Sequence, residues 1–315
     1  MNIVILDAQT LGDDIELSMF DKFGNVKIYP TTSPSELKDR IKDAEVIILN
    51  KVKLNETNLP YAKHLRLICV TATGFDNIDL DYCRKNDIAV CNVKGYSTNS
   101  VAQITFSMAL SLVNHLKSYD YYVKSGKYTK SGVHNYLKPA FHEIAGMTWG
   151  IIGMGNIGKK VAEAAEIFGA EVITYTRTQK SEYNCVSLDE LCEKSDIISI
   201  HTPLTEETKN LINSDNIAKM KKSAVVINVA RGAVVDENAL AEAIINNQIG
   251  ALGVDVYSVE PMGADSPYNR ILDRDNVVFM PHAAWAAYEA RMRCMEEIAE
   301  NIEAFLRGEK RNRVD

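Results

Sequence analysis

Short apolar runs recur along this chain with helix-length segments between them. That alternation constrains the fold more than any other feature. The first series is NIVILD (2–7), AEVIILN (44–50), LRLICVT (65–71) and IAVCN (88–92). The second is TWGIIG (148–153), EVITYT (171–176), DIISIH (196–201), SAVVINV (223–229), ALGVDV (251–256) and VVFMP (277–281). These runs are rich in Ile and Val and apolar on both faces, as strands buried in a parallel sheet are. Strands alternating with crossover-length connectors imply an α/β fold with parallel sheets.

The two series suggest two lobes, and 315 residues suffice for two cores. Between the series, Val101, Ile104, Met108, Leu112 and Leu116 follow helical spacing. A second long helix, from about Ala286 to about Arg307, carries Met292, Met295, Ile298, Ile302 and Phe305 and stops at Gly308. These helices are expected to bridge two Rossmann-like lobes. The expected domains are residues 1–100 plus 284–315, for substrate, and 101–283, for a dinucleotide.

A net charge of -7 argues against a nucleic-acid or polybasic membrane surface. The basic tail from Arg307 to Arg313 reads as a solvated helix end. No apolar run approaches a membrane span, and MNIVILD begins a strand with no basic segment before it. Cys69, Cys83, Cys91, Cys185, Cys192 and Cys294 form no CxxC pair, so neither a disulfide framework nor a metal site is expected. The expectation is a reduced, cytoplasmic protein.

GIIGMGNIGKKVAEAAEIFGAEVITYTRT holds Gly153, Gly155 and Gly158 as G-x-G-x-x-G between a strand and a helix. In that context the pattern is a dinucleotide fingerprint, with Met154, Asn156 and Ile157 between the glycines. Gly153 permits the turn, Gly155 admits the pyrophosphate, and Gly158 lets helix and strand pack. The next strand ends in TYTRTQK. Thr176 stands where an acid would bind the ribose, and Arg177, Thr178 and Lys180 follow. This accommodates the 2′-phosphate of NADP, paired with Arg177, or NAD with Arg177 facing solvent. The balance leans to NADP.

Three further pieces lie at strand ends: Arg231 in NVARG, Asp255 and Glu260 in GVDVYSVEP, and His282 in PHAAW. Ligands of an open α/β sheet bind at the carboxyl ends of its strands. A histidinium can donate a proton to a carbonyl oxygen as hydride reaches the carbon. A carboxylate beside it, as Glu260 could be, would favour the charged ring and hold it. Arginine can pair with a substrate carboxylate and polarise the carbonyl. Arg231, Glu260 and His282 together describe reduction of a 2-oxo acid.

The chain is similar to the D-2-hydroxyacid dehydrogenase family over nearly its whole length. The matching motifs are ATGFDNID (72–79), NVKGYSTNSVAQ (92–103), GMGNIG (153–158), HTPLTEETKNLIN (201–213), NVARG (228–232), GVDVYSVEP (253–261) and PHAAW (281–285). The resemblance implies two Rossmann-like lobes with the active site in the cleft, and a homodimer formed through the nucleotide-binding domains. It implies Arg231, Glu260 and His282 as the catalytic set. Substrate would meet Thr73, Gly74 and Phe75, the last two through backbone N–H groups, as well as Arg231, His282 and Trp285. The cofactor would meet the glycine loop, Thr176, Arg177, Thr178, His201, Thr202, Pro203, Thr208, Val229, Ala230, Asp255, His282 and Val101, with Thr98 close to the nicotinamide. For Asp255 a turn cap, for Val101 core packing and for Trp285 helix packing are the competing roles. Gln103 replaces a glutamate found in many members.

Trp285 and KGYSTNSVAQ resemble the glycerate dehydrogenase/hydroxypyruvate reductase branch. The expected reaction is NAD(P)H-dependent reduction of hydroxypyruvate or glyoxylate. Alternatives are a reductase of D-lactate type or of bulkier 2-oxo acids, a 3-phosphoglycerate dehydrogenase with Lys51 and Lys53 on the phosphate, and a non-enzymatic nucleotide sensor resembling a corepressor.

Overall fold

The structure, a computed structural model, describes residues 1–177 and 182–315. Thr178 and Lys180 lie outside the described residues. The chain forms two compact units, Met1–Ser97 with Ala286–Asp315, and Thr98–Trp285.

The first unit holds a parallel sheet of β1 (Asn2–Ile5), β2 (Asn25–Ile28), β3 (Val46–Leu49), β4 (Leu67–Val70) and β5 (Ala89–Cys91). Their order is β2-β1-β3-β4-β5. β3, β4 and β5 are buried at every position, which is why they read as unbroken apolar runs. β2, NVKI, is an edge strand exposed at most positions and carries no such run. The helix Pro34–Ile41 opens with a capping box, Ser33 with Glu36, and proline in its first turn.

The helix Tyr288–Leu306 packs on β4. Gly308, at φ +76°, lets the chain turn back. The basic tail is an exposed helix end only as far as residue 310, and beyond it the chain docks on the fold. Cys91 forms an antiparallel bridge with Arg313, and Val314 N–H donates to Val90 O at 3.0 Å. Arg311 pairs with Glu297 and Glu300, and Arg313 with Asp315. The guanidinium groups of Arg311 and Arg313 are thus matched by carboxylates, and this end of the tail is bridged to β5, while residues 307–310 are exposed.

The second unit holds β6 (Thr148–Ile152), β7 (Glu171–Tyr175), β8 (Asn184–Cys185), β9 (Ile197–Ile200), β10 (Val225–Asn228), β11 (Ala251–Val254) and β12 (Val277–Phe279). They pair in parallel in the order β12-β11-β10-β9-β6-β7-β8. Ile198 and Val226 point into one hydrophobic cluster, Ile197, Val225 and Ile227 into another. Period-two alternation thus fills both faces. The helix Thr98–Val113 packs on the helix Asn156–Ile167, with Phe106 stacked on Trp149 at 5.0 Å.

Beyond His115, at φ +50°, residues 116–141 carry exposed Leu116, Tyr121, Val133, Leu137 and Phe141. Tyr122 and Tyr136 stack within this segment at 3.7 Å. Among the described residues, no helix is long and apolar enough to cross a membrane.

Candidate active site

The strand order of the second unit reverses between β9 and β6, where a doubly wound sheet opens a crevice at its carboxyl edge. The glycine loop lies there. Gly153 has φ +96°, and a Cβ on it would stand 2.8 Å from Thr202 N. A Cβ on Gly158 would strike the Gly153 carbonyl. The chain itself therefore demands these two glycines. Gly155 differs, since a Cβ there would meet no atom within 4 Å. The first-turn amides of Asn156, Ile157 and Gly158 have no side-chain cap and no acceptor among the described residues. Open space over uncapped helix amides fits an anionic group such as a pyrophosphate. Met154 is buried and Ile157 half-buried in the adjoining core.

His201 continues β9, its N–H donating to Ile152 O at 2.7 Å. Its Nε2 lies 3.0 Å from Ser199 Oγ, which accepts the Trp149 indole N–H at 2.9 Å. The Trp149 indole N–H thus fixes the serine oxygen that shares a single hydrogen bond with His201 Nε2. Burial pushes the His201 pKa down to about 3, so the ring is neutral. Thr202 is half-buried and Pro203 exposed. Thr208 Oγ1 donates to Pro203 O at 2.6 Å and accepts from Thr205 N–H at 2.7 Å, fixing that loop. Thr176 is half-buried after β7, and exposed Arg177 lies 4.0 Å from the exposed Glu207 carboxylate.

β10, β11 and β12 bring Arg231, Asp255 and His282 to the same sheet edge. His282 has φ +53°, a left-handed conformation uncommon for a side-chain-bearing residue. Four bonds hold it there. Its N–H donates to Asp255 O at 2.8 Å. The next two amides, of Ala283 and Ala284, donate to the Asp255 carboxylate at 2.8 and 3.1 Å. Its own carbonyl accepts the Trp285 indole N–H at 2.9 Å. Asp255 is 1% exposed. Burial raises its pKa, against the opposing pull of the Ala283 and Ala284 amides. Its observed contacts make it the cap of the histidine turn.

His282 Nδ1 and Glu260 Oε2 are 2.6 Å apart. Glu260 Oε1 also accepts Tyr257 N–H at 3.1 Å, and Tyr257 O–H donates to Met280 O at 2.8 Å. The carboxylate is thus oriented from its own loop. With Nδ1–H committed to Glu260, Nε2 is the ring atom left for a reacting group.

Arg231 is half-buried and has no carboxylate partner among the described residues. Its loop is fixed by fully buried Asn228, whose Nδ2 donates to Arg231 O at 2.9 Å and whose Oδ1 accepts Ala230 N–H at 3.1 Å. Val229 and Ala230 are buried beside it, and Val101 lies within the core behind. Thr98 opens the helix Thr98–Val113.

In the first unit, Thr73, Gly74 and Phe75 follow β4. The Gly74 and Phe75 amides have no acceptor among the described residues. Asn77 Nδ2 donates to Asn50 O and Val52 O. The Asp7 carboxylate accepts the amides of Asn50, Lys51 and Val52. Sequence reasoning missed these scaffold residues and Asn228, although a signal was present. Apolar runs here end in Asp or Asn: NIVILD, VIILN, AVCN, VVIN. A polar residue closing a buried strand can fix the loop that follows.

Residues 106–284 match the family model "D-isomer specific 2-hydroxyacid dehydrogenase, NAD binding domain", which makes the cofactor a nicotinamide dinucleotide. The chain is 35% identical to glycerate dehydrogenase of Methylorubrum extorquens, over 99% of this chain and 98% of that protein. It is 32% identical to hydroxypyruvate reductase of Blautia hydrogenotrophica, over the full length of both. The structure of D-lactate dehydrogenase from Aquifex aeolicus, complexed with NAD and lactic acid, superposes with a TM-score of 0.84 at 34% identity, covering 98% and 96% of the two chains. The chain belongs to the D-isomer specific 2-hydroxyacid dehydrogenase family.

Proposed function

We propose that this protein reduces hydroxypyruvate to D-glycerate or glyoxylate to glycolate, with His282 as proton donor. The observation that carries this reading is the 2.6 Å pair of His282 and Glu260. With Nδ1 held by Glu260, the Nε2 proton of the imidazolium is the one left to give. A bound reduced nicotinamide supplies the hydride for the carbonyl carbon. His282 Nε2 gives its proton to the carbonyl oxygen, and Glu260 steadies the imidazolium beforehand. Arg231, with no carboxylate partner among the described residues, binds the substrate and polarises its carbonyl. The amides of Gly74 and Phe75, which have no acceptor among the described residues, receive the substrate carboxylate, flanked by Thr73, and Trp285 belongs to the same substrate set. The names of the two relatives at 35% and 32% identity support the choice of substrate.

The dinucleotide pyrophosphate would lie over Gly155, on the amides of Asn156, Ile157 and Gly158. The adenosine end would meet Thr176, Arg177 and the His201–Thr208 loop, and the nicotinamide end Val229, Ala230, Val101 and His282. Asp255 would reach the carboxamide only through a lone pair its two amide donors leave free. Exposed Arg177 beside Thr176 favours NADP over NAD. The first unit, with its free amides, would be the substrate domain, and the second the dinucleotide domain.

Exposed apolar residues are concentrated in 116–141, and such exposure is a feature of protein interfaces. It supports a homodimer, and light scattering giving twice the monomer mass checks this. Six free cysteines fit a cytoplasmic location.

The test follows oxidation of NADPH and NADH with hydroxypyruvate, glyoxylate and pyruvate, for wild type and His282→Ala. Turnover should be fastest with the first two and lost in the variant. Preference for pyruvate would move the reading to a D-lactate dehydrogenase. Cofactor binding without turnover would leave a nucleotide-sensing protein.

A further inference from the structure

Three distant segments of the first unit meet at Asn92, which is 1% exposed. Its backbone N–H donates to Asn312 O in the C-terminal tail at 3.2 Å. Its carbonyl accepts Asn301 Nδ2, from the helix Tyr288–Leu306, at 3.2 Å. Its side-chain Nδ2 donates to Thr73 O at 2.7 Å. Asn301 is itself buried, and its Oδ1 accepts from Arg311 Nη1 at 2.7 Å and Asn312 Nδ2 at 3.0 Å. A continuous hydrogen-bonded path therefore runs from the tail to Thr73.

We propose that the C-terminal tail, residues 309–315, positions the Gly74 amide for the substrate carboxylate, acting through Asn301 and Asn92. The inference rests on the reading of Gly74 as a carboxylate donor. Thr73 C=O and Gly74 N–H belong to one planar trans peptide, so they point in opposite directions. Holding the carbonyl on Asn92 turns the amide away from Asn92, and that amide has no acceptor among the described residues. Thr73 Oγ1, donating to Val93 O at 2.8 Å, adds a second tie between Thr73 and the segment after β5. Asn92 Oδ1 is buried without a partner among the described residues. An unpaired buried oxygen is unfavourable, and what the side chain gains is this single bond to Thr73. Asn301, Asn92, Arg311 and Asn312 are positioning residues in this scheme, since none touches the reacting atoms.

The tail also covers a thiol. Cys91 Sγ donates to Arg311 O at 3.2 Å, and burial pushes the Cys91 pKa up to about 11. Alkylation of Cys91, located by peptide mass spectrometry, therefore reports release of the tail. Two full-length variants separate the links. Arg311→Gln/Asn312→Gly loosens the tail, and Asn92→Ala removes only the bond to Thr73. Steady-state kinetics with hydroxypyruvate should show KM for the oxo acid raised about tenfold in both, with kcat and cofactor Kd little changed, as when a uniform binding contact is lost. Cys91 should become reactive in the tail variant and stay protected in Asn92→Ala. Arg311→Gln alone carries the same test if the double variant does not fold.

An unchanged KM in a tail variant whose Cys91 has become reactive would overturn the inference. So would equal losses in kcat, KM and cofactor affinity, which would indicate general destabilisation. Wild-type protein without turnover on any 2-oxo acid would overturn the proposed function, and this inference with it.

Discussion

The indole N–H of Trp285 donates to the backbone carbonyl of His282 at 2.9 Å, across a residue held at φ +53°. A left-handed backbone at a side-chain-bearing residue costs about 1–3 kcal/mol and persists where its surroundings over-determine it. Trp285 is one of those restraints. Trp285→Phe keeps an aromatic body but removes the donor. The expected result is a kcat reduced about tenfold, the size of one lost buried hydrogen bond, with cofactor Kd unchanged. An unaltered kcat would show that the Asp255 contacts suffice to hold the turn.

Glu260 and His282 should be separable by what each removes. His282→Gln removes the proton donor, and kcat should fall about 10²–10⁴-fold, the usual worth of general acid catalysis. Glu260→Gln keeps an acceptor near Nδ1 but loses the negative charge beside the imidazolium. It should be the milder change, and the Tyr257 amide contact keeps its side chain oriented. Equal losses in the two variants would argue that the pair acts as one unit, as coupled groups do.

The sequence made the strands legible because sheets covered on both faces need unbroken apolar runs. Edge strands do not, so NVKI and the two-residue β8 carried no signal. The histidine–glutamate pair was legible from chemistry, since both residues end loops after adjacent strands. The lock on the His282 turn was not. Asp255 reads first as a cofactor contact, with a cap as the competing role, and only the amides of Ala283 and Ala284 show what it holds. The Asn92 junction was invisible for another reason. It joins residues near 73, 92, 301 and 312, and no local pattern links segments more than 200 positions apart. The tail misled because its cationic residues look solvated until Glu297, Glu300 and Asp315 are seen beside them.

The glycines predict a contrast. Gly155→Val adds atoms to open space, so thermal stability should hold while dinucleotide affinity falls at least about tenfold. Gly158→Ala drives a methyl group into the Gly153 carbonyl and should lose about 1–3 kcal/mol of stability, as overpacking does. Calorimetry and fluorescence titration with NADH measure both. Gly155→Val protein that binds NADH like wild type would remove the pyrophosphate from this loop.

Cofactor choice can be tested at the end of β7. Thr176→Asp/Arg177→Ala supplies a ribose acceptor and deletes the exposed guanidinium. The ratio of kcat/KM for NADPH over NADH should fall at least about tenfold, the loss of one charge-assisted pair with a phosphate. A ratio that does not move would mean that Arg177 stays in solvent and that preference is set elsewhere.

His201 ties the second unit to pH. Its folded value, about 3, lies below the 6.5 of an ordinary imidazole. Between those values the unfolded chain takes up a proton that the folded chain refuses, and stability rises with pH wherever the unfolded state binds more protons. The stabilising contribution is therefore complete above the ordinary value. It declines as pH falls below that value, by up to about 1.4 kcal/mol per pH unit, and levels off only beneath the folded value. His201→Gln keeps a hydrogen-bond partner for the Ser199 hydroxyl without a titrating ring. Urea midpoints taken at intervals between about pH 7 and pH 5 should fall more steeply for wild type than for the variant. Parallel declines would mean that the acid sensitivity arises from groups other than His201, and that protonating this ring opens the unit at little cost.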